Sequence, residues 1–336
     1  MNLDRKIIGT PLFSLVDQYL SKSADKNNAV VVCGFWRSGT TFLMQALGEL
    51  THRRTFYEPF HALSKSFDFD LEDPYITKKG HTQVYPYWKE IVSEDFARSF
   101  DQLLIGASSS EWVRRHRKLK TTFYTDVLAK FVRSNLMIPY FVQSNVKTIW
   151  IIRHPGGVLS SLIRPGSNAE MLWQRLSSSS YYKKTLDNQP KLVNEMRALG
   201  LWFNYVGDEA YKNVIDFYFL THFLPFREIK KDEPNMLVMP YEEIVLDPLT
   251  SFNRMLGFTD PDKSFLENEI LKMAKKPSGV TKDARKGSSE HLKCFGWKND
   301  LSEEMDHYIT SCYEKYRIEA LDHVLARIEE LKNGHV

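Results

Sequence analysis

The sequence predicts an α/β fold in which helices cover both faces of a central parallel sheet. Two segments predict strands: Ala29-Val-Val-Val-Cys33 and Val146-Lys-Thr-Ile-Trp-Ile-Ile152 are short, largely apolar and rich in β-branched residues, as strands buried on both faces of a parallel sheet are. A turn and then apolar residues at helical spacing follow each of them. This alternation of strand and helix indicates a three-layer αβα architecture.

The turn after the first strand has the glycine spacing of a phosphate-binding loop. It reads Gly-Phe-Trp-Arg-Ser-Gly-Thr-Thr from Gly34 to Thr41. Gly34 and Gly39 bracket a strand-to-helix turn, where backbone N–H groups and the positive end of a helix dipole converge on an anion. The helix that follows is indicated by a period of about 3.6 residues in Phe42, Leu43, Ala46, Leu47 and Leu50. The predicted fold is therefore P-loop NTPase-like.

The loop lacks the lysine of a nucleotide triphosphatase. The usual signature is G-x-x-x-x-G-K-[ST], in which the lysine reaches the outer phosphates and the hydroxyl group holds Mg²⁺. Thr40 stands in the lysine position, and the cation of the loop is Arg37. This difference disfavours a metal-assisted kinase or ATPase and points to another phosphate-rich donor. A glycine turn that binds nothing is the alternative for the loop taken alone.

Two motifs together resemble a known family. Arg37-Ser-Gly-Thr-Thr41, directly after an apolar strand, resembles the 5′-phosphosulfate loop of sulfotransferases that use 3′-phosphoadenosine 5′-phosphosulfate (PAPS). Arg153 at the end of the second strand, with Ser161 eight residues later, resembles the 3′-phosphate motif of the same family. Ser161 projects from about the second turn of the next helix, so both side chains could meet one phosphate. His154 stands where many relatives have aspartate.

Two further segments agree with the resemblance. Arg285-Lys-Gly287, followed by Gly296-Trp-Lys298, is similar to the loop that closes over the 3′-phosphate in this family. The stretch from Tyr241 to Pro248 resembles the family's "Tyr-Glu … Asp-Pro" segment and is expected to be structural. The four matches occur in the family's order along the chain.

The resemblance implies a co-substrate, a product and a set of contacts. PAPS is the expected sulfuryl donor and adenosine 3′,5′-bisphosphate (PAP) the expected product, with no metal required. The residues implied at the 5′-phosphosulfate and the adenine are Arg37, Ser38, Gly39, Thr40, Thr41 and Phe42. Those implied at the 3′-phosphate are Arg153, Ser161, Arg285, Lys286 and Gly287.

The acceptor must lose a proton as it attacks, so a general base is required. Relatives that act on phenols and steroids place a histidine in a Lys-Thr-His segment, and Lys120-Thr-Thr122 lacks that histidine. Carbohydrate sulfotransferases instead place Glu-Pro shortly after the first loop, which Phe56-Tyr-Glu-Pro-Phe-His61 matches. The resemblance therefore implies Glu58 or His61 as the base, with Glu58 buried among aromatic rings. Arg37 and Lys120 are further catalytic candidates, Lys120 at the leaving group.

Charge and cysteine content limit the partners. The formal charge is only +3, with 45 basic and 42 acidic residues, so no nucleic-acid partner is expected. The basic run from Arg114 to Lys118, with Lys120, could instead hold an acidic acceptor. Three separated cysteines argue against a disulfide framework or a zinc site. The stretch from Met1 to Lys26 lacks the apolar length of a signal peptide or membrane span, so a cytoplasmic location is expected.

The motifs span most of the chain, so one sulfotransferase domain over residues 1–336 is expected. Its nucleotide-binding core is assigned to residues 29–60, 146–165 and 280–300, and its acceptor site to residues 62–125 and 165–235. The expected acceptor is a hydroxyl group, with an amine as the alternative, of a small molecule or saccharide. Two other hypotheses are a kinase-like P-loop phosphotransferase and a module that binds PAP without turnover. A candidate homodimer contact is the C-terminal apolar stripe of Leu321, Val324, Leu325, Ile328 and Leu331.

Overall fold

Five parallel strands form the central sheet of the part of the chain described by a computed structural model. The described residues are 7–8, 10–60, 85–107, 111–114, 116–164, 169–186, 189–230, 232–275, 289–317 and 319–332. The strands are β1 (Val30–Gly34), β2 (Arg54–Tyr57), β3 (Val127–Phe131), β4 (Lys147–Ile152) and β5 (Met236–Pro240). Their order across the sheet is β2-β3-β1-β4-β5, and every neighbouring pair is parallel. The predicted α/β fold with a parallel sheet is confirmed.

Helices connect the strands and cover the sheet. Those that carry the connections and the site are α1 (Pro11–Ser21), α2 (Thr40–Leu50), α3 (Trp88–Ile91), α4 (Glu94–Leu104), α5 (Glu111–Arg114), α6 (Ile138–Gln143), α7 (Pro155–Ile163), α8 (Glu170–Leu176), α9 (Ser179–Leu186), α10 (Pro190–Ala198) and α11 (Tyr211–Glu228). The chain continues after β5 with α12 (Tyr241–Leu246), α13 (Pro248–Thr259), α14 (Glu267–Ala274), α15 (Glu290–Phe295), α16 (Glu303–Tyr316) and α17 (Glu319–Lys332).

The sheet separates two apolar cores. Side chains alternate between the faces of a strand, so Val31 and Cys33 of β1 belong to one core, whereas Val30 and Val32 belong to the other. All five residues of β1 are buried, which accounts for its uninterrupted apolar sequence. Helix α2 lies on the Val30 face, because its buried Leu43 and Leu47 are part of that core.

The register of the sheet brings the ends of its middle strands together. Val32 of β1 lies opposite Lys130 of β3, and Gly34 lies opposite Ile151 of β4. The segments that leave β1, β3 and β4 at their carboxyl ends are therefore neighbours. In parallel α/β sheets ligands bind at this edge, where connections diverge to the two faces.

Two arginines of the basic run from Arg114 to Lys118, namely Arg114 and Arg117, are buried. Arg54, Arg114 and Arg117 surround the buried carboxylate of Asp17 on α1. The Nη1 atom of Arg54 lies 3.1 Å from Asp17 Oδ1, and the Nη1 atom of Arg117 lies 2.7 Å from the same oxygen. Arg114 Nη1 lies 3.6 Å from Asp17 Oδ2. These ion pairs join α1 to β2 and to the segment that follows α5, so Arg114 and Arg117 are not available to an acceptor.

The C-terminal helices pack inside the chain. Val324, Ile328 and Leu331 of α17 are buried in the larger core, so these three members of the stripe already have partners within the protein. Helix α16 contacts α11 through a hydrogen bond of 2.7 Å from the Tyr308 hydroxyl group to Asp216 Oδ1. No helix in the described ranges has the length and apolar character needed to cross a membrane.

We expect Asp216→Asn to remove a pH-dependent loss of stability. Burial raises the pKa of Asp216 from 3.8 to about 6, against the opposing effect of the Tyr308 hydrogen bond. An acid whose pKa is higher in the folded state destabilises the fold as the pH rises through that value. Relative to wild type, the free energy of unfolding of Asp216→Asn should therefore rise by about 1 to 2 kcal/mol between pH 5 and pH 7.5.

Urea unfolding at the two pH values measures this change. Asp306→Asn is the matched control, because Asp306 is exposed on α16, the helix that carries Tyr308. A difference between Asp216→Asn and wild type that stays constant with pH would contradict the raised pKa.

Candidate functional site

The loop between β1 and α2 has the backbone of an anion cradle. Gly39 caps α2 in a left-handed conformation, with φ of 84°. A Cβ atom there would lie 2.7 Å from the ring of Tyr241, so glycine is required both by conformation and by space. Arg37 also has a positive φ, 67°. The loop amides therefore gather at the N-terminus of α2, where the helix dipole favours negative charge.

The hydroxyl group of Ser38 belongs to this cradle. Ser38 is fully buried, and its Oγ atom makes no hydrogen bond to the described residues. A buried polar atom without a partner is costly and uncommon, and a bound ligand that supplies the missing hydrogen bond would remove this cost. Thr40 is buried as well, and Thr41 and Phe42 are partly exposed. The residues of the loop therefore fit an anionic ligand at this position.

The structure joins the loop to the end of β4. The Arg37 Nε atom donates a hydrogen bond of 2.8 Å to Ser161 Oγ on α7. The carbonyl oxygen of Arg37 accepts a second hydrogen bond, of 2.7 Å, from Arg153 Nη1. Three residues predicted from two distant motifs therefore lie together at the carboxyl edge of the sheet.

Arg153 is held on several sides. Its guanidinium group lies 4.5 Å over the Tyr241 ring, and the Tyr218 hydroxyl group donates to its carbonyl oxygen at 2.7 Å. Its Nε atom is buried and has no hydrogen-bond partner in the described part of the chain. A guanidinium fixed in this way, with donor capacity to spare, suits the binding of a phosphate oxygen.

His154 caps the helix that carries Ser161. Its Nδ1 atom accepts a hydrogen bond of 3.1 Å from the Gly156 N–H group, which is the role that an aspartate would have at the start of a helix. The imidazole ring also stacks on Trp297, with centroids 4.3 Å apart and planes 14° apart. Trp297 fills the space above Gly156, where a Cβ atom would lie 2.5 Å from the indole ring.

Glu58 lies at the end of β2 and contacts two cations. Lys130 Nζ is 2.7 Å from Glu58 Oε1, and Arg133 Nη2 is 3.7 Å from Oε2. The side chain of Glu58 is 12% exposed, so it is largely buried as predicted. The rings of Phe56 and Phe60, however, belong to the core on one face of the sheet, and the carboxylate instead faces a charged cluster.

Sequence reasoning missed Lys130 and Arg133. Both are buried, Lys130 within the otherwise apolar strand β3 and Arg133 two residues beyond its end. Burial lowers the pKa of Lys130, and the neighbouring Glu58 carboxylate offsets part of this change. The available signal was a lysine inside the apolar run Val127-Leu-Ala-Lys-Phe131, since lysine is rarely buried without a charged partner.

Lys120 is the predicted catalytic residue that the structure places away from the loop. It forms an ion pair with Glu49, near the end of α2. Glu49 is nine residues beyond the first residue of that helix, which is about 13 Å along its axis. His61, Arg285, Lys286 and Gly287 lie outside the described residues.

The rings of Tyr57, Trp112 and His116 lie beside the charged cluster formed by Glu58, Lys130 and Arg133. The Tyr57 ring is 4.1 Å from Lys130 Nζ, 4.1 Å from the His116 ring and 6.0 Å from the Trp112 ring. His116 and Trp112 are partly exposed. In contrast, the rings of Tyr85, Tyr181 and Tyr182 are buried in the larger core.

Comparison with known proteins identifies the chain's relatives. The family model described as "Sulfotransferase domain" matches residues 27–324, which include every described residue of the site. No curated protein matches the sequence significantly.

Among solved structures, the chain is similar to the sulfotransferase domain from the curacin biosynthetic pathway, at 13% identity and a TM-score of 0.42, with 84% of this chain and 96% of that chain covered. The sulfotransferase domain from the Synechococcus PCC 7002 olefin synthase matches at 13% identity and a TM-score of 0.42, covering 84% and 93%. Retinol dehydratase in a complex with retinol and PAP matches at 16% identity and a TM-score of 0.43, covering 91% and 85%.

Proposed function

The chain belongs to the sulfotransferase family, and we propose that the site at the carboxyl edge of its sheet transfers the sulfuryl group of PAPS to a hydroxyl group or an amine of a small molecule or saccharide. The observation that carries the assignment of the residues is the junction of Arg37, Ser161 and Arg153. Through these hydrogen bonds, the loop suited to the 5′-phosphosulfate contacts the arginine suited to the 3′-phosphate.

The nucleotide is proposed to lie across the ends of β1 and β4. The loop amides from Gly39 to Thr41 and the buried Ser38 hydroxyl group, which has no hydrogen-bond partner among the described residues, would hold the 5′-phosphosulfate. Arg153 and Ser161 would hold the 3′-phosphate, and the partly exposed Phe42 ring would contact the adenine. Arg285, Lys286 and Gly287 are proposed to complete the 3′-phosphate site by the resemblance of their motif.

Glu58 and Lys130, at the ends of β2 and β3, are proposed to take part in the chemical step. In an in-line transfer, the bond from sulfur to the phosphate oxygen breaks as a bond from sulfur to the acceptor atom forms. Glu58 would take the proton of the acceptor, and Lys130 would stabilise negative charge that develops on oxygens around the sulfur. His61 remains the alternative base. Lys130, on the strand next to β1, is therefore proposed as the lysine of the site in place of Lys120, which the sequence suggested at the leaving group.

The acceptor is proposed to contact the aromatic rings that lie beside Glu58. Tyr57, Trp112 and His116 lie together there, and Trp112 and His116 are partly exposed. Aromatic rings next to a few polar groups suit an acceptor with an apolar or sugar ring and one reactive hydroxyl group.

Thermal unfolding with nucleotides tests the proposed donor. PAP without metal should raise the melting temperature, because a ligand at 100 times its Kd adds about 2.7 kcal/mol to stability. ATP and GTP with Mg²⁺ should give no comparable shift, since the loop has Thr40 in place of lysine. Stabilisation by ATP with Mg²⁺ alone would instead support the kinase-like alternative.

Arg153→Ala should weaken PAP binding by about 2 to 3 kcal/mol, because a charge-assisted hydrogen bond to phosphate is lost. Isothermal titration calorimetry measures the affinity. Arg98→Ala, at an exposed arginine on α4 whose side chain is 72% exposed, should leave it unchanged. Equal affinities in wild type and Arg153→Ala would exclude Arg153 from the 3′-phosphate site.

Glu58→Gln should keep PAP affinity but lower the turnover number about 10²-fold or more, because the amide cannot accept the proton. Turnover is followed as PAP formation with an acceptor found by screening hydroxyl and amine compounds. Glu267→Gln, at an exposed glutamate on α14, is the matched control. Near-normal turnover of Glu58→Gln would transfer the role of base to another group, His61 first.

A further inference from the structure

The start of α12 lies between the two phosphate-binding segments. Pro240 at the end of β5 is paired with Ile152 at the end of β4, so the chain leaves both strands side by side. Tyr241 comes next, and its ring lies under Arg153 and against Gly39 of the loop. The residue after Tyr241 is therefore adjacent to the turn that carries Arg153.

That residue, Glu242, is a buried acid, and one of its oxygen atoms has no hydrogen-bond partner in the part of the chain that the structure describes. Its side chain is inaccessible to solvent. Oε1 accepts a hydrogen bond of 3.1 Å from the His154 backbone N–H group, and Oε2 has no partner among the described residues. Burial raises the pKa of Glu242 to about 7, and the nearby charge of Arg153 opposes this change.

Within the described ranges, five ionisable groups approach this carboxyl group from the elements packed around it: Arg153, His154, Cys294, Tyr218 and Tyr313. The turn after β4 contributes Arg153 and His154, and the Cys294 thiol on α15 approaches the Glu242 carbonyl oxygen at 4.0 Å. Tyr218 on α11 and Tyr313 on α16 are near enough for its charge to act on them, and burial raises the pKa of both further above neutrality. The next carboxylate, Glu243, is paired instead with Arg254 and Arg327.

We propose that Glu242 is a positioning residue for Arg153, and that it takes up a proton when the 3′-phosphate of the nucleotide binds. This inference rests on the proposed function. An ionised Glu242 competes with the phosphate for the charge of one guanidinium group, whereas a protonated Glu242 does not. A phosphate on Arg153 places further negative charge near Glu242, which favours the protonated form. The proton comes from solvent, and no covalent bond between heavy atoms changes.

Linkage makes the coupling reciprocal. If PAP binding takes up a proton at Glu242, raising the pH must weaken PAP binding by the same coupling. One proton corresponds at most to about a tenfold change in Kd for each pH unit. The phosphate's own second ionisation, near pH 6, acts in the opposite direction when the dianion binds. Because it acts equally on every variant of the protein, a comparison between variants isolates Glu242.

The test is calorimetric titration of PAP between pH 6 and pH 8.5 into wild type and Glu242→Gln. At each pH, buffers of different ionisation heat report the number of protons exchanged. Glutamine preserves the volume and the acceptor for the His154 N–H group, but it cannot ionise. Wild type should take up more protons than Glu242→Gln near pH 7 to 8, and its Kd should rise more steeply with pH. At pH 8.5 Glu242→Gln should bind PAP several-fold more tightly than wild type.

His154→Asn separates the carboxyl group from its titratable neighbour. Asparagine also caps helices, and this variant should retain the proton uptake of wild type. Equal proton exchange in wild type and Glu242→Gln, or loss of the uptake in His154→Asn alone, would overturn the role of Glu242. Failure of wild type to bind PAP at any pH would overturn the proposed function itself, and this inference with it.

Discussion

Parallel pairing of β1 with both β3 and β4 is the constraint on which the site depends. The hydrogen-bond register sets Gly34 opposite Ile151 and Val32 opposite Lys130, so three segments that are far apart in sequence emerge at one edge. Their side chains then need only local geometry to meet. A slip of one residue would turn each strand's side chains to the opposite face, which would separate Lys130 from Glu58 and bury it in the other core.

Positive charge collects at this edge, which suits the binding of an anionic ligand. Lys130 and Arg133 are buried and Arg153 is partly buried, and the acids near these cations are Glu58 and Glu242. Removal of one partner from a buried ion pair costs about 3 to 5 kcal/mol, so such an arrangement is tolerated only where each charge is held by other contacts. Arg153 illustrates this, since its hydrogen bond to the Arg37 carbonyl oxygen and its position over Tyr241 fix the guanidinium group before a phosphate arrives.

The sequence predicted what depends on local pattern. Strands β1 and β4 and helix α2 follow from apolar periodicity. Motif spacing predicted that Arg153 and Ser161 could meet one phosphate, whereas the hydrogen bonds that link each of them to Arg37 were not predicted. Contacts across the sheet could not be predicted in this way, because they depend on which strands become neighbours. Lys130 was missed since nothing in β3 by itself reveals that β2 places Glu58 beside it.

Lys120 was chosen because it stands in a Lys-Thr segment, but its position beside Glu49 follows from the path of α2. The run containing Arg114 and Arg117 had the composition of a surface, and only the approach of α1 supplies the buried Asp17 that pairs with both.

The backbone at Glu58 shows how the sheet holds its candidate base. Glu58 has a φ of 43°, a left-handed conformation that costs a residue with a side chain about 1 to 2 kcal/mol. Two contacts with one residue offset this cost: the Glu58 N–H group donates to the Lys130 carbonyl oxygen at 2.8 Å, and the Lys130 ammonium group donates to Glu58 Oε1 at 2.7 Å. Because β2 ends with this reversal, the carboxylate turns towards β3 instead of continuing the alternation of the strand. Lys130 thus fixes the position of the Glu58 carboxylate, and a proton acceptor fixed in this way can act on a substrate held in one orientation.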